Sequence, residues 1–314
     1  MPSEITTLFD KGGYKMYPHS FRTIEAGGIA FAAAKGREKF VGLARSGDLL
    51  PSPVFSADLP SGGSVGLYPL TWENYVKLKD VLRIAPTPYS RDASFGTGDR
   101  LGLVSAAHLR AMRSYPVFPV IAQQSPRELV RTQRSFKSVL LDAVMGVLES
   151  GYDGPFGADA DHIKDEQYLI EGADAGYSMY TLDVSDWLRD ASGLSTDGLS
   201  ETSKKIINEF GGTTVGGYAF SSDELTKSAL IYEKSMDHVR EFNDILKSKL
   251  SAFDIEVSID EGSRDTTPED HLFVAEYLHR ASVKFDSLAP KFPGEFQKGI
   301  DYVGDMAALE RSLN

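Results

Sequence analysis

Apolar and polar residues in the first part of the chain form short runs that are typical of strands. Residues 28–31 and 40–43 are two such runs on either side of a turn-like segment, which predicts a hairpin, and 65–68 predicts a further strand. A helix is predicted to follow, with Thr71 as its N-cap. We therefore expect a small α+β module over residues 1–95.

From residue 96 the pattern changes to apolar strands that alternate with amphipathic helices. The predicted strands cover 101–104, 117–122, 156–160, 177–182, 255–259 and 283–288. Repeated β-then-α units indicate a parallel sheet with helices outside it. We therefore expect an α/β fold over residues 96–314, a (β/α) TIM-type barrel. A closed barrel of this type has about eight βα units, so about six units predict an incomplete one.

The longest predicted helix covers residues 223–250, where apolar residues recur at every third or fourth position. No G-x-G-x-x-G motif opens a helix after the first barrel strand, so the dinucleotide-binding fingerprint is absent from the sequence. A barrel therefore explains the pattern better than a dinucleotide-binding sheet does.

Composition and charge narrow the classes of partner. The 314 residues include no cysteine, which excludes disulfides and thiolate metal sites, and the net charge is −12. This acidic balance argues against binding to a nucleic-acid backbone. No apolar run is long enough to cross a membrane and no secretory signal is visible, so we expect a cytoplasmic protein without a membrane partner.

One series of basic residues stands apart from the acidic balance. Arg127, Arg131, Arg134 and Lys137 are spaced like one helix face. The series is either a solvated face or, at its early members, a surface that meets an anionic small molecule.

Several polar residues lie near the ends of the predicted barrel strands, which is where this kind of fold holds its catalytic residues. They are Asp99 and Arg100 before the first strand, Gln123 and Gln124 after the second, Asp161 and His162 after the third, Asp183 after the fourth and Glu261 after the fifth. A histidine beside carboxylates is a donor set for a divalent metal, and carboxylates also serve as general acid and base. Each acidic residue has the alternative role of capping the helix that follows. Arg100, Arg127 and Arg131 are candidates for pairing with a substrate carboxylate.

Six runs of residues occur in one order along the chain. They are SFGTGDRLGL at 94–103, AQQS at 122–125, FGADADHIK at 156–164, VSIDE at 257–261, SLAPKF at 287–292 and GEFQKGIDY at 294–302. These runs resemble those of the tagaturonate epimerase family, and the similarity extends from about residue 69 to the end of the chain. The family is metal-dependent and interconverts D-tagaturonate and D-fructuronate, epimers at C4, in hexuronate catabolism.

The resemblance implies roles for individual residues. Asp161 is the implied proton acceptor and Glu261 the implied proton donor, while His162 and Glu295 are implied ligands of a divalent cation such as Zn, Mn, Ni or Co. We assign substrate binding to Asp99, Arg100, Gln123, Gln124, Arg131 and Asp183. The resemblance also implies a further histidine ligand in a segment like His-Ser-Gly-Ser-Asp-Lys, which this sequence does not contain.

A retro-aldol route is consistent with epimerisation at C4. The base removes the proton of the C4 hydroxyl, the C3–C4 bond breaks, the metal stabilises the enediolate, and the bond re-forms on the other face. Two other functions stay open: a non-catalytic carbohydrate-binding or regulatory remnant, and a metal-dependent aldolase, which only has to release the fragments.

An unclosed barrel exposes sheet edges, which favours a homo-oligomer.

Overall fold

A computed structural model describes the chain over residues 2–10, 12–24, 27–47, 49–89, 93–297 and 299–313. Lys298, in the last of the six resembling runs, lies outside the described residues. Contacts divide the chain into two compact units: Met1–Asp161 with Glu171–Met179, and His162–Ile170 with Tyr180–Asn314. The division at residue 95 stays a prediction.

The N-terminal part of the first unit is an antiparallel sheet beside a helix. It contains α1 (Pro2–Asp10), β1 (Lys15–Met16), β2 (Arg22–Thr23), β3 (Ile29–Lys35), β4 (Glu38–Ala44), β5 (Phe55–Asp58) and β6 (Ser64–Pro69), in the strand order β1-β3-β4-β6-β5 with β2 also on β3. The predicted hairpin is confirmed, because β3 pairs with β4 across a turn that places Lys35 opposite Glu38. Phe9 and Phe31 are fully buried in the core of this part.

The predicted helix after this sheet is also confirmed. Helix α2 (Trp72–Leu78) begins after Thr71, whose hydroxyl oxygen accepts a hydrogen bond from the Asn74 N–H. This bond satisfies one of the backbone donors that the first turn of a helix leaves without a partner.

Parallel strands and their connecting helices follow along the chain. They are β7 (Ser94–Gly98), α3 (Ser105–Met112), β8 (Phe118–Gln124), α4 (Pro126–Thr132), α5 (Phe136–Ser150) and β9 (Gly157–Ile163), followed by α6 (Glu166–Asp174). The strand predicted at 101–104 is wrong: Leu101 and Leu103 are exposed before α3, and the strand is the glycine-containing β7. Because β7 has no buried apolar side chain, hydrophobic alternation does not reveal it.

The basic series does not form one helix face. Helix α4 starts with a capping box formed by Ser125 and Glu128, but it ends at Thr132. Gln133 then adopts the left-handed conformation at φ 54°, and α5 starts only at Phe136. Arg134 and Lys137 therefore lie beyond the end of α4, and the prediction of a single face is wrong.

The second unit contains the remaining elements. They are β10 (Met179–Asp183), α7 (Glu201–Phe210), β11 (Thr214–Val215), β12 (Tyr218–Ala219), α8 (Ser222–Lys249), β13 (Asp254–Ser258), α9 (Pro268–Arg280), β14 (Ser287–Ala289) and α10 (Met306–Leu313). Helix α8 confirms the predicted long amphipathic helix. Among the helices of the described ranges, none combines the length and apolarity that a bilayer crossing requires.

The parallel strands confirm the predicted fold class. They form one six-stranded sheet in the order β14-β13-β10-β9-β8-β7, with helices between successive strands. The chain is therefore an α/β protein whose sheet corresponds to an incomplete TIM-type barrel. In such a sheet the carboxyl ends of the strands are the expected position of a site.

Candidate active site at the carboxyl ends of the strands

In the first unit, the ends of β7, β8 and β9 bring polar side chains together. The register places Gly98 opposite Gln123 and Gln123 opposite Asp159. The Gln123 Nε2 donates to Asp159 Oδ2 at 3.4 Å. Asp161 lies two residues beyond Asp159, on the same face of β9, and the two residues are only 6% and 1% exposed. The structure thus places the predicted Gln123 and Asp161 at this edge and adds Asp159.

Asp159 was missed as a site residue, although a signal for it exists. In the run FGADADHIK the two aspartates alternate with alanine, so period-two alternation alone places both on one face of a strand. Two buried carboxylates on one face are costly unless polar groups surround them, which is typical of a functional site.

The Asp99 carboxylate is hydrogen-bonded to the backbone at the start of α3. It accepts hydrogen bonds from the backbone N–H groups of Leu103, Val104 and Ser105 at 2.7–2.9 Å and from the Ser105 hydroxyl at 2.9 Å. Burial alone raises the pKa of Asp99, but these four hydrogen bonds outweigh it and leave the pKa below its ordinary value. The geometry shows the capping role, and substrate binding by Asp99 stays a prediction.

We expect Asp99→Ala to lower the free energy of unfolding by about 2 kcal/mol at neutral pH, because three backbone N–H groups at the start of α3 and the Ser105 hydroxyl lose their acceptor. The folded-state pKa of Asp99 is depressed, so its stabilisation is present above the unfolded-state pKa of about 3.9 and is lost as the pH falls through the folded value. The difference from wild type should therefore shrink below about pH 4. Urea unfolding at pH 7 and pH 3 measures this, and an equal difference at both would contradict it. Asp58→Ala, an exposed aspartate, is the control.

Other predicted substrate residues of the first unit hold partners inside the protein. Arg100 donates from Nε to Glu128 at 3.0 Å. Gln124 donates to Thr132 and accepts from Arg134, both at 2.9 Å. Arg131 is exposed on α4 and forms no ion pair with any described residue. Substrate contact by these residues stays a prediction.

In the second unit, Lys164 connects the ends of three strands. It follows β9 directly, and its Nζ lies 2.9 Å from Asp186 Oδ1, 3.5 Å from Asp183 Oδ2 and 3.5 Å from Glu261 Oε2. Asp183 ends β10 and is 1% exposed, Asp186 lies in the 3-10 turn Ser185–Trp187, and Glu261 lies shortly after β13. The predicted residues Asp183 and Glu261 therefore share one partner.

The charge on Lys164 is stabilised by its surroundings. Burial lowers its pKa, but the hydrogen bond to Asp186 and the charges of Asp183 and Glu261 outweigh this effect, so the pKa is raised. Three carboxylates around one ammonium leave a net charge of −2 on this cluster. Lys164 was missed as a site residue, and its signal is its place as the last residue of the run FGADADHIK.

The two predicted metal ligands have distinct settings in the second unit. His162 has φ 50°, a left-handed conformation that is rare for a residue with a side chain. Glu295 is exposed, its backbone pairs with Val303, and its carboxylate accepts a hydrogen bond from Gln297. Within the described ranges, no three His, Asp or Glu side chains are grouped so that they could hold a metal ion. These residues therefore do not by themselves fit a metal centre.

A cavity of about 770 Å³ also lies in the second unit. It is lined by residues of β12, of the first turns of α9, of the segment after β14 and of α10, among them Tyr218, His271 and Arg311. None of the predicted site residues contributes to this lining.

The six-stranded parallel sheet with helices between its strands defines an α/β protein of the TIM-barrel type, and each unit has buried carboxylates beside strand ends. A family model of tagaturonate epimerase matches residues 17–314, so the chain belongs to the tagaturonate epimerase family.

Individual relatives agree with this membership. The tagaturonate/fructuronate epimerase of Thermotoga maritima is 38% identical over 96% of this chain and 65% of that protein. The crystal structure of fructuronate-tagaturonate epimerase from Cohnella laeviribosi in its native form has a TM-score of 0.86 at 30% identity, and a form complexed with one glycerol has 0.85 at 31%. Each of these two matches covers 99% of this chain and 66% of the Cohnella laeviribosi chain. The chain thus spans about two thirds of the length of these relatives.

Proposed function

We propose that this protein interconverts D-tagaturonate and D-fructuronate by epimerisation at C4. The observation that carries the proposal is the family match over residues 17–314. Its chemistry is supported by the buried Asp161 on β9 and by Glu261 beyond β13, both beside strand ends, where this fold places catalytic groups.

The proposed steps use only a base and an acid of this chain. Asp161 removes the proton of the substrate C4 hydroxyl, and the C3–C4 bonding pair moves toward the C2 ketone, which yields an aldehyde and an enediolate. The aldehyde rotates, and C3 attacks its other face so that the C3–C4 bond re-forms. Glu261, protonated when this direction of the reaction starts, donates its proton to the new C4 alkoxide. Proton exchange with water then returns Asp161 to the carboxylate and Glu261 to the acid. General acid–base catalysis of this kind contributes about 10²- to 10⁴-fold to the rate.

Metal dependence is a separate part of the proposal and rests on the resemblance. His162 and Glu295 are the candidate ligands, and neither belongs to a group of three or more metal-binding side chains within the described residues. We therefore route no step through a metal. Comparing activity after chelation and after readdition of each divalent ion measures any dependence directly.

Product analysis with D-tagaturonate tests the proposal. The purified protein is incubated with D-tagaturonate, with and without added divalent ions, and the mixture is followed by ¹³C NMR. We expect D-fructuronate to accumulate to the same equilibrium ratio from either epimer. Three-carbon fragments without the C4 epimer would identify an aldolase instead. Saturable binding without conversion under every ion condition would identify a carbohydrate-binding protein and overturn the proposal.

A further inference from the structure

We propose that Lys164 is a positioning residue that holds the Glu261 carboxylate in place for its proton transfer with the C4 oxygen. The ionised Glu261 accepts the C4-hydroxyl proton in the direction from D-fructuronate, and its protonated form donates that proton in the direction from D-tagaturonate. The inference rests on the proposed function, because it assigns Lys164 a task through the proposed proton donor. It starts from the three ion pairs that converge on one ammonium group at 2.9–3.5 Å.

The Asp183 and Glu261 carboxylates, which Lys164 connects, differ strongly in conformational freedom. The Asp183 carboxylate is 1% exposed at the end of β10, and its Oδ1 accepts the Ser185 N–H at 3.1 Å. The Glu261 side chain is 55% exposed, and Lys164 is the partner that the described part of the chain gives its carboxylate. Lys164 thus links a fixed carboxylate to one that is otherwise free to rotate.

The backbone before Lys164 favours a fixed placement of its side chain. His162 holds φ 50°, which costs about 1–2 kcal/mol for a residue with a side chain, so the surrounding structure must hold this bend. Lys164 follows two residues later, at the point where β9 ends. The bend thus fixes where the lysine leaves the strand.

Charge argues that Lys164 acts through carboxylates and not as a ligand of the substrate. Three carboxylates surround the Lys164 ammonium at 2.9–3.5 Å, so its charge is already paired inside the protein and is not left for a substrate carboxylate. An exposed glutamate loses considerable rotamer freedom when it is held in one conformation. A group that is already held meets the reacting atom more often, which raises kcat and leaves binding nearly unchanged.

Steady-state kinetics of single and double variants test the proposal. We expect Lys164→Met to lower kcat about tenfold or more while KM changes by less than about threefold. In a Glu261→Gln background the same substitution should have almost no further effect on kcat, because the held group is already lost. Lys164→Arg, which keeps the charge, should retain most of the wild-type kcat. Lys284→Met is the matched control, since Lys284 forms a lysine–aspartate pair with Asp286 before β14.

Three outcomes would overturn the proposal. They are a wild-type kcat in Lys164→Met, an equal loss of kcat with and without Glu261, and a raised KM at constant kcat. A wild-type protein without epimerase activity would count against the proposed function alone. For that case a crystal structure of Lys164→Met, or of Lys164→Gln if the methionine variant does not fold, supplies an independent readout. We expect the Glu261 carboxylate to leave its position, and an unchanged Glu261 rotamer would contradict the positioning role.

Discussion

Asp161→Asn is expected to lower the epimerase kcat by about 10²- to 10⁴-fold, the largest effect on activity that we anticipate. Asparagine has nearly the shape of aspartate but does not accept a proton from the C4 hydroxyl, so the first proposed step loses its base. Asp161 is 6% exposed on β9, and the substitution leaves its backbone and volume nearly unchanged. The loss should therefore appear in kcat and kcat/KM together.

Matched measurements separate the loss of a base from a loss of folding. Asp165→Asn makes the same chemical change at an exposed position four residues further along the chain, and its kcat should equal that of wild type. Circular dichroism and urea unfolding of both variants establish that the fold is kept. Full activity of folded Asp161→Asn would show that another group is the base, and the neighbouring Asp159 would be the next variant to measure.

The fold was predictable where apolar periodicity is strong. Helix α8 keeps apolar residues at every third or fourth position over 28 residues, and helix α9 has a proline and a capping threonine at its start. Strand β7 was not predictable, because its glycines, its serine and threonine and its exposed Phe95 bury no apolar side chain that would show as alternation. Apolar residues 101–104 were mistaken for that strand although they lie exposed before α3.

The candidate site was predictable only in part, because residue type alone does not reveal a side chain's partner. Asp99 is of a residue type that binds substrates, yet both of its carboxylate oxygens accept hydrogen bonds from backbone N–H groups at the start of α3. Lys164 shows the opposite case. A lysine at the end of an acidic run is typical of an exposed surface, and its three carboxylate partners are not visible until folding places Asp183 and Glu261 within 3.5 Å of its ammonium.

Gly151→Ala is expected to lower the free energy of unfolding by about 3 kcal/mol or more, the largest effect on stability that we anticipate. Gly151 ends α5 at φ 67°, and an added Cβ would lie 2.0 Å from the backbone oxygen of His19. Either α5 or the turn Pro18–Ser20 must then move. Arg22 resists this movement, because its guanidinium donates to the carbonyl oxygen of Tyr152, just beyond α5, at 2.9 Å.

Gly176→Ala isolates the clash at Gly151 from the cost of the left-handed backbone. Gly176 has φ 79°, and an added Cβ there would meet no atom within 4 Å, so this variant carries only the conformational cost of about 1–2 kcal/mol. The difference between the two variants in urea unfolding therefore measures the contact with His19. Equal destabilisation would mean that the turn Pro18–Ser20 shifts at no cost, and the packing of α5 against that turn would then contribute little to the stability of the first unit.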